Sequence, residues 1–114
     1  MRRILISMSH ALHGLRGMFS SEPNVRLHLI ALVVAIGGGF VLHLSWMEWA
    51  LVAIVTTLVL AAEAMNTAIE GLCDVVHPDH SEAIQRVKDT AAGGVLLCAV
   101  GALVVATLLL ASRR

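Results

Sequence analysis

The sequence predicts an all-α integral membrane protein, built from an N-terminal amphipathic surface helix and three transmembrane helices. Three observations carry that expectation. Hydrophobic residues make up 58% of the 114 and charged residues only 14%, against about one quarter charged in an ordinary soluble domain. The apolar residues come in long blocks, with a mean hydropathy of +0.85, a distribution that asks for a bilayer as solvent. The 8 Lys and Arg balance the 8 Asp and Glu, and aromatics are 4%. No basic surface or stacking platform for nucleic acid is therefore expected.

Residues 1–20 thread Arg3, Ser7, His10, His13 and Arg16 through Ile4, Leu5, Met8, Leu12, Leu15 and Phe19. That three- and four-residue spacing predicts an amphipathic helix lying in the membrane interface, its arginines near anionic head groups. A signal peptide is the poorer reading, because Ile4-Leu5-Ile6 is far short of the about 7–15 apolar residues of an h-region. Ser20-Ser21-Glu22-Pro23-Asn24 then predicts a break and a new helix, with hydroxyls to cap it and Pro where a missing N–H costs little. The first span, 27–45, is built on the uncharged run of 14 from Leu29 to Leu42. Its Gly37-Gly38-Gly39 triplet predicts close helix contact rather than a loop. Trp46 and Trp49 bracket Glu48 where an aromatic belt belongs, and the second span is 49–73. A polar break at 75–80 follows, then a helix from Ser81 through Arg86, Lys88 and Asp89 into an uncharged third span, 90–112. One domain is expected over 1–114. Arg2, Arg3, Arg16 and Arg26 precede span one and Arg86 and Lys88 precede span three, so the N-terminus and the 75–90 loop are expected in the cytoplasm. Arg113-Arg114 then falls on the outer side, against the rule. Cys73 and Cys98 are expected as packed thiols, ahead of a disulfide or a metal pair.

Span two differs from the others in carrying Glu63, Asn66 and Glu70. Each buried charge costs at least about 2.5 kcal/mol on insertion scales, so the set needs a reason. At about 100° per residue from Glu63, Asn66 lies near −60°, Thr67 near +40°, Glu70 near −20° and Asp74 near +20°. That single stripe should face protein or water. Carboxylates and an amide are hard oxygen ligands for a divalent cation and can supply a base for a hydroxyl, while Lys88 and Asp89 add a cation and an acid at the same end. These parts suit phosphoryl transfer. No Gly-x4-Gly-Lys-Ser/Thr loop, Ser-His-Asp set or zinc spacing accompanies them, and His77-Pro78-Asp79-His80 reads as a solvated turn rather than a metal site. Buried acids also serve proton relays and ion carriers, so spacing alone leaves enzyme and carrier level, with a noncatalytic scaffold third.

Glu63-Ala-Met-Asn66-Thr67-Ala68-Ile69-Glu70-x3-Asp74, followed by Lys88-Asp89-x-Ala91-Ala92, resembles the signature of the small bacterial membrane diacylglycerol kinase/undecaprenol kinase family. Glu22-x-Asn24-x-Arg26-x-His28, the amphipathic first helix and the three spans agree with it over essentially the whole chain. The resemblance implies a kinase that transfers the γ-phosphoryl group of Mg-ATP to a lipid hydroxyl at the cytoplasmic face of the cell membrane. It further implies a homotrimer with sites shared between neighbours. Carried over residue by residue, Glu63 matches the general base and Asn66 a neighbour that holds the site together. Glu22 and Glu70 match acids that bind Mg²⁺, and Arg3, Asp74, Lys88 and Asp89 match residues around the ATP. Arg16 and Arg26 carry head-group or phosphate roles, and Thr67 stands where the diacylglycerol-specific branch is expected to have serine. His28 stands where that branch is expected to have an acid. Arg26-Leu27-His28 and Asn66-Thr67-Ala68-Ile69-Glu70 look more like the undecaprenol branch, so undecaprenol is favoured over diacylglycerol as substrate, although His28 can equally be a satisfied interfacial histidine.

Overall fold

The computed structural model describes residues 1–113; Arg114, counted above with Arg113, lies outside the described residues. Four helices follow one another, α1 (Arg2–Ser21), α2 (Pro23–Val41), α3 (Trp46–Val76) and α4 (Glu82–Ala111), with no strand among the described residues. The sequence signals explain the joints. Glu22 is extended, with φ −100° and ψ 116°, because the Pro23 ring clashes with a helical conformation at the residue before it. Pro23 then opens α2 at a position whose N–H has no helical partner. The expected hydroxyl cap of α2 does not form. Ser20 and Ser21 instead donate back to the Gly17 carbonyl at 3.0 and 2.7 Å, closing α1.

The α2–α3 turn is the tightest. The Leu44 N–H reaches the Gly39 carbonyl at 3.1 Å and the His43 N–H the Phe40 carbonyl at 3.3 Å, the paired bonds of a Schellman ending. His43 takes the left-handed position with φ 54°. Ser45 then caps α3: its hydroxyl accepts the Glu48 N–H at 3.2 Å while the Glu48 carboxylate accepts the Ser45 N–H at 2.8 Å. The Gly37-Gly38-Gly39 expectation holds for one residue of the three. A Cβ at Gly39 would lie 2.5 Å from Trp49 Cη2, whereas Gly37 and Gly38 have open space.

α2, α3 and α4 are each long and apolar enough to cross a membrane. At about 1.5 Å per residue, the 19 residues of α2 span about 28 Å, close to the hydrocarbon thickness, while the 31 of α3 and 30 of α4 overshoot it. Both helices therefore run beyond the apolar stretches 49–73 and 90–112 into polar sequence. α3 and α4 form the main pair, α2 packs on α3, and α1 touches both α2 and α3; α2 and α4 do not approach each other. The buried apolar side chains are few, Met18, Val25, Val59 and Cys73 among them, and α4 buries none. A chain in lipid can be built this way, since acyl tails are as apolar as leucine and exposing Leu97 to them costs nothing.

At the end carrying the α2–α3 turn, Arg113 closes the bundle. Its guanidinium donates to both Glu48 oxygens at 2.8 and 2.7 Å and to the Leu42 carbonyl at 3.3 Å. Arg113, one of the two cations expected against the positive-inside count, thus has a bidentate carboxylate partner. Glu48, which the sequence places only between two belt tryptophans, ties the end of α4 to the turn between α2 and α3. Both cysteines are free thiols.

Candidate active site

The opposite end gathers the polar residues. Because consecutive helices run antiparallel, the start of α2, the end of α3, the start of α4 and the amphipathic α1 share it. His28 faces Glu63, and Pro23 lies five residues before His28, so α2 begins level with about residue 68 of α3. Glu63 therefore sits inside the three-helix part of the bundle, and Glu70 and Asp74 lie beyond the start of α2.

Burial follows that order along the stripe. Glu63 is 2% exposed and Asn66 8%, Thr67 and Glu70 are half-buried, and Asp74 is exposed. Glu63 has one close polar neighbour from another helix, His28, whose Nε2 lies 3.4 Å from Glu63 Oε2. One turn on, Asn66 Nδ2 donates to Glu70 Oε1 at 3.3 Å, the i, i+4 contact of a helix face. Two buried oxygens beside them, Asn66 Oδ1 and Thr67 Oγ1, have no partner. An orphaned buried acceptor costs about 1–3 kcal/mol, so these oxygens can take a donor or a cation.

Further out, Lys88 Nζ donates to Asp74 Oδ1 at 2.7 Å and ties the start of α4 to the end of α3. The Asp74 side chain is 67% exposed, so the pair adds little stability and is exchangeable for a more highly charged anion. Asp89 accepts from Gln85 at 2.9 Å. Glu22 is half-buried at the α1–α2 break, while Arg3, Arg16 and Arg26 are exposed. The structure thus joins Glu63 to His28, Asn66 to Glu70 and Asp74 to Lys88. It shows no side-chain bond from Arg3, Glu22, Arg26 or Thr67 to these pairs.

The Asn66 amide oxygen and the Glu70 carboxylate are hard oxygen donors of the kind a small divalent cation takes. No group of three His, Cys, Asp or Glu side chains converges among the described residues. That fits a cation held by one or two carboxylates plus phosphate oxygens, and not one caged by protein alone. His77, Asp79 and His80 are all exposed in the α3–α4 turn.

Between α2 and α4, with α3 as its floor, lies an apolar cleft of about 580 Å³ whose walls include Ala35, Val55, Val59, Ala102 and Ala106. It exists because α2 and α4 each pack on α3 and not on each other. Its only ionisable lining residue among those described is His28. His28 therefore touches both the apolar cleft and the buried carboxylate.

Compared with known proteins, residues 9–110 match the model of the prokaryotic diacylglycerol kinase family. The chain belongs to that family. It is 35% identical over 108 residues to a diacylglycerol kinase of Synechocystis sp., covering 94% of this chain and 62% of that one. It is 31% identical over 100 residues to the undecaprenol kinase of Bacillus subtilis, covering 88% and 81%. A diacylglycerol kinase of Sinorhizobium sp. is 32% identical over 88 residues, covering 77% and 64%. The chain thus spans less than two thirds of the two relatives named diacylglycerol kinase and most of the one named undecaprenol kinase.

Sequence reasoning assigned no role to His28 in this arrangement, nor to the Glu48–Arg113 pair at the other end of the bundle. His28 entered the sequence reading through the family resemblance and the choice of substrate branch, and nothing in its spacing reveals that it meets Glu63 across a helix boundary. The Glu48–Arg113 pair joins residues 65 apart; its one signal was a cation expected on the outer side.

Proposed function

We propose that the chain is a lipid kinase that transfers the γ-phosphoryl group of ATP to the hydroxyl of a membrane lipid alcohol at the cytoplasmic interface. The observation that carries this reading is a carboxylate, Glu63, buried at membrane depth beside the inner end of an apolar cleft. A hydrocarbon chain fits such a cleft, and its hydroxyl end comes to His28 and, beside it, the Glu63 carboxylate. The family and the names of the relatives agree with the reaction class.

Phosphoryl transfer needs positioning and charge neutralisation more than covalent help from the protein. Glu63 takes the hydroxyl proton as the lipid oxygen forms its bond to the γ-phosphorus and the bond to the bridging oxygen of ADP breaks. Asn66 orients the Glu70 carboxylate through its amide. Lys88 exchanges Asp74 for the phosphate oxygens, a trade the exposed pair allows. Asp89 and Arg3 flank the nucleotide in this reading, and Arg26 and Thr67 the lipid head. Glu70 and the Asn66 oxygen, with Glu22 at the α1–α2 break, would hold Mg²⁺, which when bound would supply charge neutralisation at the phosphates. The chain works as a homotrimer that covers part of the bare α4 surface.

Undecaprenol is the favoured acceptor, on the residues Arg26-Leu27-His28 and Thr67 and on the coverage of the Bacillus relative. Diacylglycerol is the alternative, on the names of the other two relatives. The test is labelled phosphate transfer from ATP to undecaprenol, shorter prenols, diacylglycerol and ceramide at equal surface fraction in micelles. Undecaprenol is expected to be labelled fastest. Faster labelling of diacylglycerol would reverse the substrate assignment, and labelling of no lipid would remove the kinase reading.

A further inference from the structure

We infer that His28 is a positioning residue for Glu63, holding one carboxylate oxygen so that the other faces the acceptor hydroxyl; this rests on the reading of Glu63 as base. Glu63 is a flexible side chain on α3, and its own helix offers it no hydrogen-bonding partner in this structure: the amide of Asn66 is spent on Glu70. A buried carboxylate without a donor is costly and free to turn. His28, from α2, is the group that meets it, with Nε2 at 3.4 Å from Oε2. That distance is longer than a formed N–H···O bond of about 2.9 Å. Such contacts commonly tighten when substrate closes the site. In the neutral ring with its proton on Nε2, His28 donates to Oε2 and leaves Oε1 as the free acceptor.

The second half of the inference comes from where the ring stands. The His28 side chain is 22% exposed against 3% for Glu63, and it lines the cleft whose other walls are aliphatic apart from the Thr56 hydroxyl. That hydroxyl is turned back to its own helix, donating to the Val52 and Ala53 carbonyls. Within the cleft, the imidazole is thus the one polar group free to mark where a hydrocarbon chain stops and chemistry begins. It fixes the depth at which a hydroxyl meets Glu63 as well as the direction of the carboxylate. Misplacing a reacting group by about 1 Å costs on the order of 100-fold in rate, far more than it costs in ground-state binding.

The experiment compares His28→Ala, His28→Gln and Glu63→Gln in micelles with the preferred lipid alcohol, fitting kcat and the lipid KM separately. Helical circular dichroism checks the fold of each. His28→Ala should lower kcat by roughly 10- to 100-fold with a much smaller change in KM. His28→Gln, whose amide nitrogen reaches the same place as Nε2, should restore most of that loss. In protein labelled with ¹⁵N-histidine, the ring signal missing from His28→Gln should shift in Glu63→Gln, a readout independent of turnover. Wild-type kcat in His28→Ala beside an inactive Glu63→Gln would overturn the positioning role and leave the base intact. Equal losses in Ala and Gln variants, or an unmoved ring signal, would also overturn it. Full activity of Glu63→Gln would remove the base and the positioning role together.

Discussion

The contact between Gly39 and Trp49 sets how close α2 can lie to α3, and its energetic weight can be worked out. Adding a methyl at Gly39 places a carbon 2.5 Å from Trp49 Cη2 and 3.0 Å from Leu44 Cδ1. The ring cannot swing freely, because it also packs on Phe40 with centroids 5.2 Å apart. Overpacking of this kind costs about 1–3 kcal/mol. Replacing glycine by alanine in a helix returns up to about 1 kcal/mol, so Gly39→Ala alone should be destabilising by only about 1 kcal/mol. Gly37→Ala, two residues earlier with nothing within 4 Å of the new carbon, carries the same helix gain without the clash. The difference between the two variants cancels the helix term and isolates the packing term, about 1–3 kcal/mol. Reversible unfolding of both proteins in mixed micelles, followed by circular dichroism and by tryptophan emission, measures that difference. Equal stability of the two variants would refute the reasoning, as would a Gly37→Ala protein less stable than Gly39→Ala.

Two more outcomes follow from the same end of the bundle. His43, at φ 54°, is strained as a residue with a Cβ. His43→Gly should therefore stabilise the protein by roughly 0.5 kcal/mol, and His43→Val should destabilise it, in the same unfolding assay. A less stable His43→Gly protein would contradict the assigned turn. Arg113→Ala and Glu48→Gln should each lower the melting temperature in detergent, and the double variant should melt no lower than the worse single one, because both remove one bidentate contact. Additive losses would mean the two residues act separately.

The helices and the stripe were readable from sequence because their causes are local. Blocks of apolar residues, Pro23 and a 100° step per residue need no knowledge of neighbours. The helix start at Ser81 was readable, whereas α3 overruns 49–73 at both ends, because polarity marks where lipid stops and not where hydrogen bonding stops. Ser20 and Ser21 show the limit of a local rule: a hydroxyl between two helices can close the first or cap the second, and Glu22, locked extended by Pro23, decides for the first. Gly39 differs from Gly37 and Gly38 through Trp49 and Leu44, contacts made by the turn between the helices. In the candidate site, Asn66 and Glu70 lie one turn apart, and spacing placed them on one stripe. Glu63 with His28 and Asp74 with Lys88 are contacts between helices, and no periodicity within one helix foretells them.

The most direct measurement is lipid-dependent ADP formation by Glu63→Gln, with helical content and micellar state matched to the wild type. Glutamine keeps the size and the polarity and cannot take a proton. The proposed mechanism predicts kcat lower by roughly 100- to 10,000-fold, with the ATP KM little changed. Turnover within a few-fold of wild type would contradict it, and the proton would then have to leave the lipid hydroxyl by another route.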